Sequence, residues 1–145
     1  MLVRECMRKN PVSVTTDTPL LEAEWRMQEG GFRHLPVVDD DLRLVGIVSD
    51  RDLRQAAPSD AISLTRHELA YLLSRLTVGE VMKGPVLSAR PGEPAETAAI
   101  RMREHKVGAL PVLENDRLVG IVTTTDMLDA LVSLLKANRS GGAGR

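Results

Sequence analysis

Ser49 and Asp52, three places apart, and their counterparts Thr123 and Asp126 are the residues whose types and spacing suit work on a ligand. Each pair follows an apolar run, Gly46-Ile47-Val48 in one case and Gly120-Ile121-Val122 in the other. A hydroxyl therefore stands at the end of a buried strand, with a carboxylate at the start of the next helix. Such a pair is also a helix-capping pattern, which accounts for it without any ligand. The chemical reading is compatible with that one. The hydroxyl and the free N–H groups of a helix start hold a phosphate, while an ionised Asp, which only accepts, takes two hydrogen bonds from vicinal ribose hydroxyls. A capping carboxylate still has a second oxygen to offer.

Arg33 and His34 form the second candidate group. Placed just before a strand they either make a solvated turn or bring positive charge to a phosphate. A His with an ordinary pKa near 6.5 gains its proton as the pH falls toward 6, which would strengthen that charge. The equivalent positions in the second half are Gly108 and Ala109, so the halves differ in charge. The remaining reactive types resolve to structural roles. His67 and His105 have no second ligand at metal spacing, so no metal site is assigned. Cys6 lacks a base and suits a small buried filler. Asp39-Asp40-Asp41 reads as a solvated turn, and Gly46 and Gly120 are too isolated to cradle a phosphate. No nucleophile–base pair is present in the sequence pattern, and no catalytic residue is assigned.

The elements that position these groups occur twice. Leu35-Pro36-Val37 returns as Leu110-Pro111-Val112, and the offset is 75 from Leu35 to Leu110 but 74 from Gly46 to Gly120. Upstream, Val3, Met7, Pro11 and Val12 recur as Val78, Met82, Pro85 and Val86. A repeat of this kind makes the chain two copies of one unit, each too small to bury a sufficient core alone. Each copy opens with an extended piece, Asn10 to Val14 or Gly84 to Ser88. A helix follows, with Thr18 as N-cap and Pro19 as first helical residue. Its apolar stripe is Leu20, Ala23 and Met27, matched by Ala95, Ala98, Ala99 and Met102. A buried hairpin and a second helix near Asp52 or Asp126 complete the copy. Thr65 and Glu68 mark a capping box ahead of an apolar helix in the linker, which should dock rather than dangle. Ser140-Gly141-Gly142 reads as the start of a disordered tail. The expected division is repeat 1 over 1–57, a helical linker over 58–77, repeat 2 over 78–137 and the tail over 138–145.

Composition narrows the partners. Nineteen Lys and Arg against twenty Asp and Glu leave a net charge of −1, which argues against duplex nucleic acid or an anionic membrane as the main partner. Aromatic residues make up 2% of the chain, too few for stacking single-stranded bases. With 43% hydrophobic residues and no long apolar run, the chain reads as a soluble globular protein. One cysteine and no secretion-signal layout at the start suit the cytoplasm. Leu, Ala and Met faces in excess of what one small body covers, with Trp25 suited to an interface, point to a symmetric homodimer.

In the order and duplication of these motifs the chain resembles the CBS domain (cystathionine β-synthase domain) family, found as tandem pairs. The markers are the openings from Met7 to Pro11 and Met82 to Pro85, the Leu-Pro-Val and Gly-Ile-Val strands, and the Ser/Thr-x-x-Asp endings. Length and linker resemble the stand-alone CBS-pair proteins related to acetoin-utilisation proteins. The resemblance implies an α/β fold of two β-α-β-β-α repeats packed with pseudo-two-fold symmetry, binding adenosine-containing ligands in clefts between them. By the same resemblance Asp52 and Asp126 hold ribose, and Ser49, Thr123, Arg51 and Thr125 lie near phosphate. Val86 and Leu87 would cover an adenine held by Asp52, and Val12 and Ser13 one held by Asp126. Arg33 and His34, or Gly108 and Ala109, would line the same clefts. The expected function is non-catalytic: no cofactor is required, and AMP, ADP or ATP, the last with Mg²⁺ as an optional companion, reports metabolic state to an unidentified regulated protein. S-adenosylmethionine, NAD and cyclic dinucleotides stand as alternative ligands. A ligand-independent scaffold and a small nucleotide hydrolase stand as alternative classes.

Overall fold

The computed structural model describes residues 1–56, 65–84 and 86–142. The turn expected at Ala57-Pro58-Ser59-Asp60, together with Pro85 and the last three residues, lies outside them. In chain order the elements are α1 (Val3–Cys6), β1 (Arg8–Lys9), α2 (Leu20–Gly30), β2 (His34–Val38), β3 (Leu44–Ser49) and α3 (Asp50–Ala56). Then follow α4 (Arg66–Arg75), α5 (Val78–Val81), α6 (Ala95–His105), β4 (Ala109–Glu114), β5 (Arg117–Thr123) and α7 (Thr124–Gly142).

Two compact units result, and they cut across the sequence repeats. One unit is Met1–Asn10, Leu87–Asn115 and Val119–Arg145; the other is Pro11–Val86 with Asp116–Leu118. The opening segment of the first repeat thus belongs with the body of the second, and the opening segment of the second with the body of the first. Apolar burial explains the exchange. Val3 of α1 is fully buried in a core with Ala98, Met102, Leu110, Val112 and Val122. Val78 of α5 occupies the equivalent place among Leu20, Ala23, Leu35, Val37 and Val48. Backbone bonds fix both: Val3 N donates to Glu93 O at 2.9 Å and Val78 N to Thr18 O at 2.8 Å.

After each buried Val the chain runs against a strand of its unit. β1 pairs antiparallel with β5, matching Arg8 to Ile121 and Lys9 to Gly120, and β5 pairs in turn with β4. In the other unit β2 pairs antiparallel with β3, and Lys83 and Ile47 exchange two backbone hydrogen bonds of 3.0 Å. Both approaches need glycine. A Cβ on Gly46 would lie 2.6 Å from Met82 Sδ and 3.1 Å from Lys83 O, and one on Gly120 2.7 Å from Met7 Sδ and 3.0 Å from Arg8 O.

The expected opening strands shrink to single parallel bridges, Val14 to Val37 and Ala89 to Val112. Pro11 has no N–H for a ladder, and the Ser13 carbonyl accepts from Arg26 Nη1 at 3.0 Å instead. Helix α2 begins at Leu20 with Pro19 as its N-cap, one residue later than the sequence suggests. The Thr18 hydroxyl is engaged elsewhere, accepting from Thr15 N at 3.0 Å. The stripe Leu20, Ala23 and Met27 is buried as the spacing requires, as are Ala95, Ala98 and Met102 of α6. Gly31 ends α2 in the left-handed conformation, while Lys106 fills that role after α6 with φ of 54°. The linker helix α4 docks through Leu73, with Leu69 and Leu76 beside it, and Thr65 Oγ1 caps it by accepting from Glu68 N at 3.1 Å.

The last helix departs from the sequence reading. Instead of fraying before Ser140, α7 continues to Gly142. No proline interrupts the i→i−4 ladder, and the Ser140 hydroxyl donates back to the Lys136 carbonyl at 3.2 Å. Among the described residues no helix is long and apolar enough to cross a membrane.

Candidate functional site

β3 delivers Ser49 and β5 delivers Thr123 to the start of a helix, and each meets its Asp in the same closed knot. Asp52 Oδ2 accepts from Ser49 N at 2.8 Å and from Ser49 Oγ at 2.9 Å, while Ser49 Oγ accepts from Asp52 N at 3.1 Å. Asp126 Oδ2 accepts from Thr123 N at 2.8 Å and Thr123 Oγ1 at 2.9 Å, and Thr123 Oγ1 accepts from Asp126 N at 3.3 Å. Among the described residues Asp52 and Asp126 are the buried charged side chains, 6% and 8% exposed. The capping pattern seen in the sequence is therefore real, and it uses Oδ2. Oδ1 takes no part in the cap.

A cation already faces that oxygen in each unit. Lys83 Nζ is 3.3 Å from Asp52 Oδ1, and Arg8 Nε is 3.6 Å from Asp126 Oδ1. Sequence reasoning missed both. The signal was present, since each directly follows the repeated Met of its opening segment, Met7 or Met82. It went unread because the exchange of opening segments brings each cation to the carboxylate of the other sequence repeat.

The other expected site residues are distributed as follows. The Arg33 carbonyl accepts from Asp50 N at 2.9 Å, and the Gly108 carbonyl from Thr124 N at 3.0 Å, so both positions anchor a helix start through backbone. The Arg33 side chain is exposed and lines a hollow of about 530 Å³ with Met27, Phe32, Leu53, Arg54 and Leu73, a hollow that Asp52 does not line. His34 pairs with Ser49 across the hairpin and is half-buried; Ala109, its equivalent, is buried. Burial holds the His34 ring below its ordinary pKa of 6.5, opposed in part by Asp50 and Asp52 and reinforced by Arg33. Desolvation therefore moves the charging of His34 to lower pH than an ordinary imidazole would show.

Arg51 and Thr125 are exposed on the first turns of α3 and α7. Val86 belongs to the unit of Asp52, and Leu87 to the other; Val12 and Ser13 also belong to the unit of Asp52. The segments carrying Ser13 and Ser88 are pinned alike, through Arg26 Nη1 to Ser13 O at 3.0 Å and Arg101 Nη1 to Ser88 O at 2.9 Å. Burial raises the Cys6 thiol above its ordinary pKa, with the Asp126 charge adding to the effect, which leaves it a poor nucleophile. Among the described residues no cluster of His, Cys, Asp and Glu is arranged to hold a metal ion.

The family model for the CBS domain matches residues 3–59 and 78–133. The chain belongs to the CBS domain family. This CBS pair is 36% identical over 137 residues to a CBS domain-containing protein of Dictyostelium discoideum, with 94% of each chain covered. It superposes on the crystal structure from Vibrio cholerae assigned to the acetoin utilization protein AcuB with a TM-score of 0.79 at 33% identity, covering 97% of this chain and 96% of that one. The crystal structure of CBSX2 in complex with AMP matches with a TM-score of 0.75 at 31% identity, covering 92% of this chain and 97% of that one. Curated relatives that carry enzyme names are much longer, and the CBS pair spans 22–24% of their length.

Proposed function

We propose that this CBS pair is a non-catalytic regulatory module that binds adenosine-containing ligands, with AMP, ADP and ATP foremost. The observation that carries the reading is the twice-built buried carboxylate whose Oδ2 is taken by its own cap while Oδ1 faces a solvent-exposed cation that ribose hydroxyls would replace. The relative crystallised with AMP supports the ligand class. Ser49, Arg51, Thr123 and Thr125 are the proposed phosphate-side groups. The segments at Val12–Ser13 and Val86–Leu87 are the proposed walls for the base. Arg33, His34, Gly108 and Ala109 are the proposed lining of the same sites, Arg33 and Gly108 also holding the helix starts through their carbonyls. Mg²⁺ would travel with the polyphosphate of ATP, and no resident cofactor is needed. The cytoplasm is the proposed compartment.

The occupant proposed for the apolar helix faces is a second copy of the chain. Beyond Leu131, α7 is exposed on every side, and Leu128, Leu131, Val132 and Leu135 form an uncovered stripe. An isolated helix of that length is marginal in water. Asp129 near one end and Lys136 and Arg139 near the other, all exposed, suit antiparallel self-pairing, which sedimentation equilibrium reads directly. The ligand signal would then pass to a regulated protein.

Calorimetric titration with AMP and with 2′-deoxy-AMP tests the function. A dissociation constant in the micromolar class, about −8 kcal/mol, with clear weakening for the deoxy form, supports it. No heat from either compound up to millimolar concentration would leave the carboxylates as caps alone, and the scaffold reading would stand.

A further inference from the structure

Lys83 and Arg8 do little as fasteners. Their side chains are 70% and 53% exposed, whereas the carboxylates they face are 5% and 9% exposed and are already held by two hydrogen bonds each. Pairs with one partner so open to water add little stability. Yet the arrangement is built twice. Both cations follow the repeated Met, both have their backbone locked onto the strand that leads to the hydroxyl, and both reach the same oxygen, Oδ1. That is the oxygen a ribose must take.

We propose that Lys83 and Arg8 select ligands by the charge of the 5′ substituent. This deepens the adenosine reading and rests on it. While the site is empty each cation sits on Oδ1; when a ribose takes that oxygen, the cation crosses to the 5′ group. A nucleoside displaces the cation from a buried carboxylate and gives it nothing in return. A nucleotide supplies a phosphate as new partner, and the flexible stem of a lysine permits the swing. A sulfonium nucleoside such as S-adenosylmethionine sets positive charge against positive charge. The sites therefore favour adenosine 5′-phosphates over adenosine and over S-adenosylmethionine. Charge-assisted hydrogen bonds of this kind set the scale of the preference at about tenfold or more per site.

The test titrates the full-length protein with adenosine, AMP and S-adenosylmethionine, using wild type, Lys83→Met, Arg8→Met, Lys83→Arg and the double Met variant. The expected result is that each Met variant loses about tenfold for AMP at one site while adenosine and S-adenosylmethionine bind as well as before or more tightly. Lys83→Arg should retain the AMP preference. Parallel losses for all three compounds, or an unchanged ratio of AMP to adenosine affinity, would overturn the selector role while leaving the adenosine reading intact. Failure of the wild type to bind any of the three would remove both.

Discussion

Around Asp52 and around Asp126 the chain ties the same knot, three hydrogen bonds between a hydroxyl residue and an Asp, to within 0.2 Å at each bond. The surroundings of the two knots are unlike. One has a lysine on Oδ1, a half-buried histidine opposite the hydroxyl residue and a helix of 7 residues leading away. The other has an arginine on Oδ1, a buried alanine in place of the histidine and a helix of 19 residues. The difference separates two demands. Satisfying the backbone where a strand turns into a helix leaves no room for variation, because a buried unpaired N–H is costly. Charge near Oδ1 is free to differ, and the two units do differ there, with a lysine in one and an arginine in the other.

The sharpest way to break the comparison is to remove one carboxylate. Asp52→Ala and Asp126→Ala should each weaken one AMP site by roughly 10- to 150-fold, out of the micromolar class, and spare the other. Each should also cost about 0.5–2 kcal/mol of stability through loss of the cap. Asp52→Asn separates the effects, since the amide oxygen can still accept the capping bonds while the charge is gone. Calorimetric stoichiometry falling from two to one in each single Ala variant is the expected readout. Uniform weakening with stoichiometry unchanged would mean that the carboxylates support the fold and do not touch ligand.

A second comparison concerns the glycines beneath the cations. Gly46→Ala sets a methyl group against Met82 Sδ and the Lys83 carbonyl, and Gly120→Ala repeats the collision with Met7 Sδ and the Arg8 carbonyl. Overpacking of this sort costs about 1–3 kcal/mol, and it should push the cation away from Oδ1 as well. Gly141→Ala is the control, with nothing within 4 Å of the new methyl; in a helix it should be neutral or stabilising by up to about 1 kcal/mol. Urea denaturation of the three variants reads this directly. Unchanged midpoints for Gly46→Ala and Gly120→Ala would show that the opening segments yield easily.

Much of this was legible in the sequence, for a definite reason. The repeat, the helix stripes, the capping of α4 by Thr65 and the two Ser/Thr-x-x-Asp knots all rest on interactions between residues close along the chain, where spacing dictates geometry. The cations on Oδ1 were not legible from spacing. Lys83 lies 31 positions beyond Asp52, and Arg8 lies 118 positions before Asp126. Only the exchange of opening segments, driven by burial of Val3 and Val78, brings them together. Arg33 is the opposite case: it adjoins the Leu-Pro-Val strand in sequence, and its side chain lines a hollow that Asp52 does not line.

The smallest expected effect separates the units by pH. His34 is held below its ordinary value of 6.5, chiefly by burial, and Asp50 and Asp52 recover only part of the loss. As the pH falls, the unfolded chain therefore takes up the proton before the folded one does. Stability contributed by the neutral ring is fully present above 6.5 and drains as the pH drops from there toward the lower folded value. The other unit has Ala109 at the equivalent place and contributes no such slope. Urea midpoints of wild type and His34→Ala at about pH 7.5 and about pH 5.5 make the comparison, staying above the range where ordinary carboxylates titrate, near 4. Wild type should lose more stability on acidification than His34→Ala, because the variant has no ring to protonate. A wild type that gains stability instead would mean that Asp50 and Asp52 bind the imidazolium more strongly than burial disfavours it. His34 would then be a second positive charge in the unit of Asp52, and the two units would differ in charge as well as in cation type.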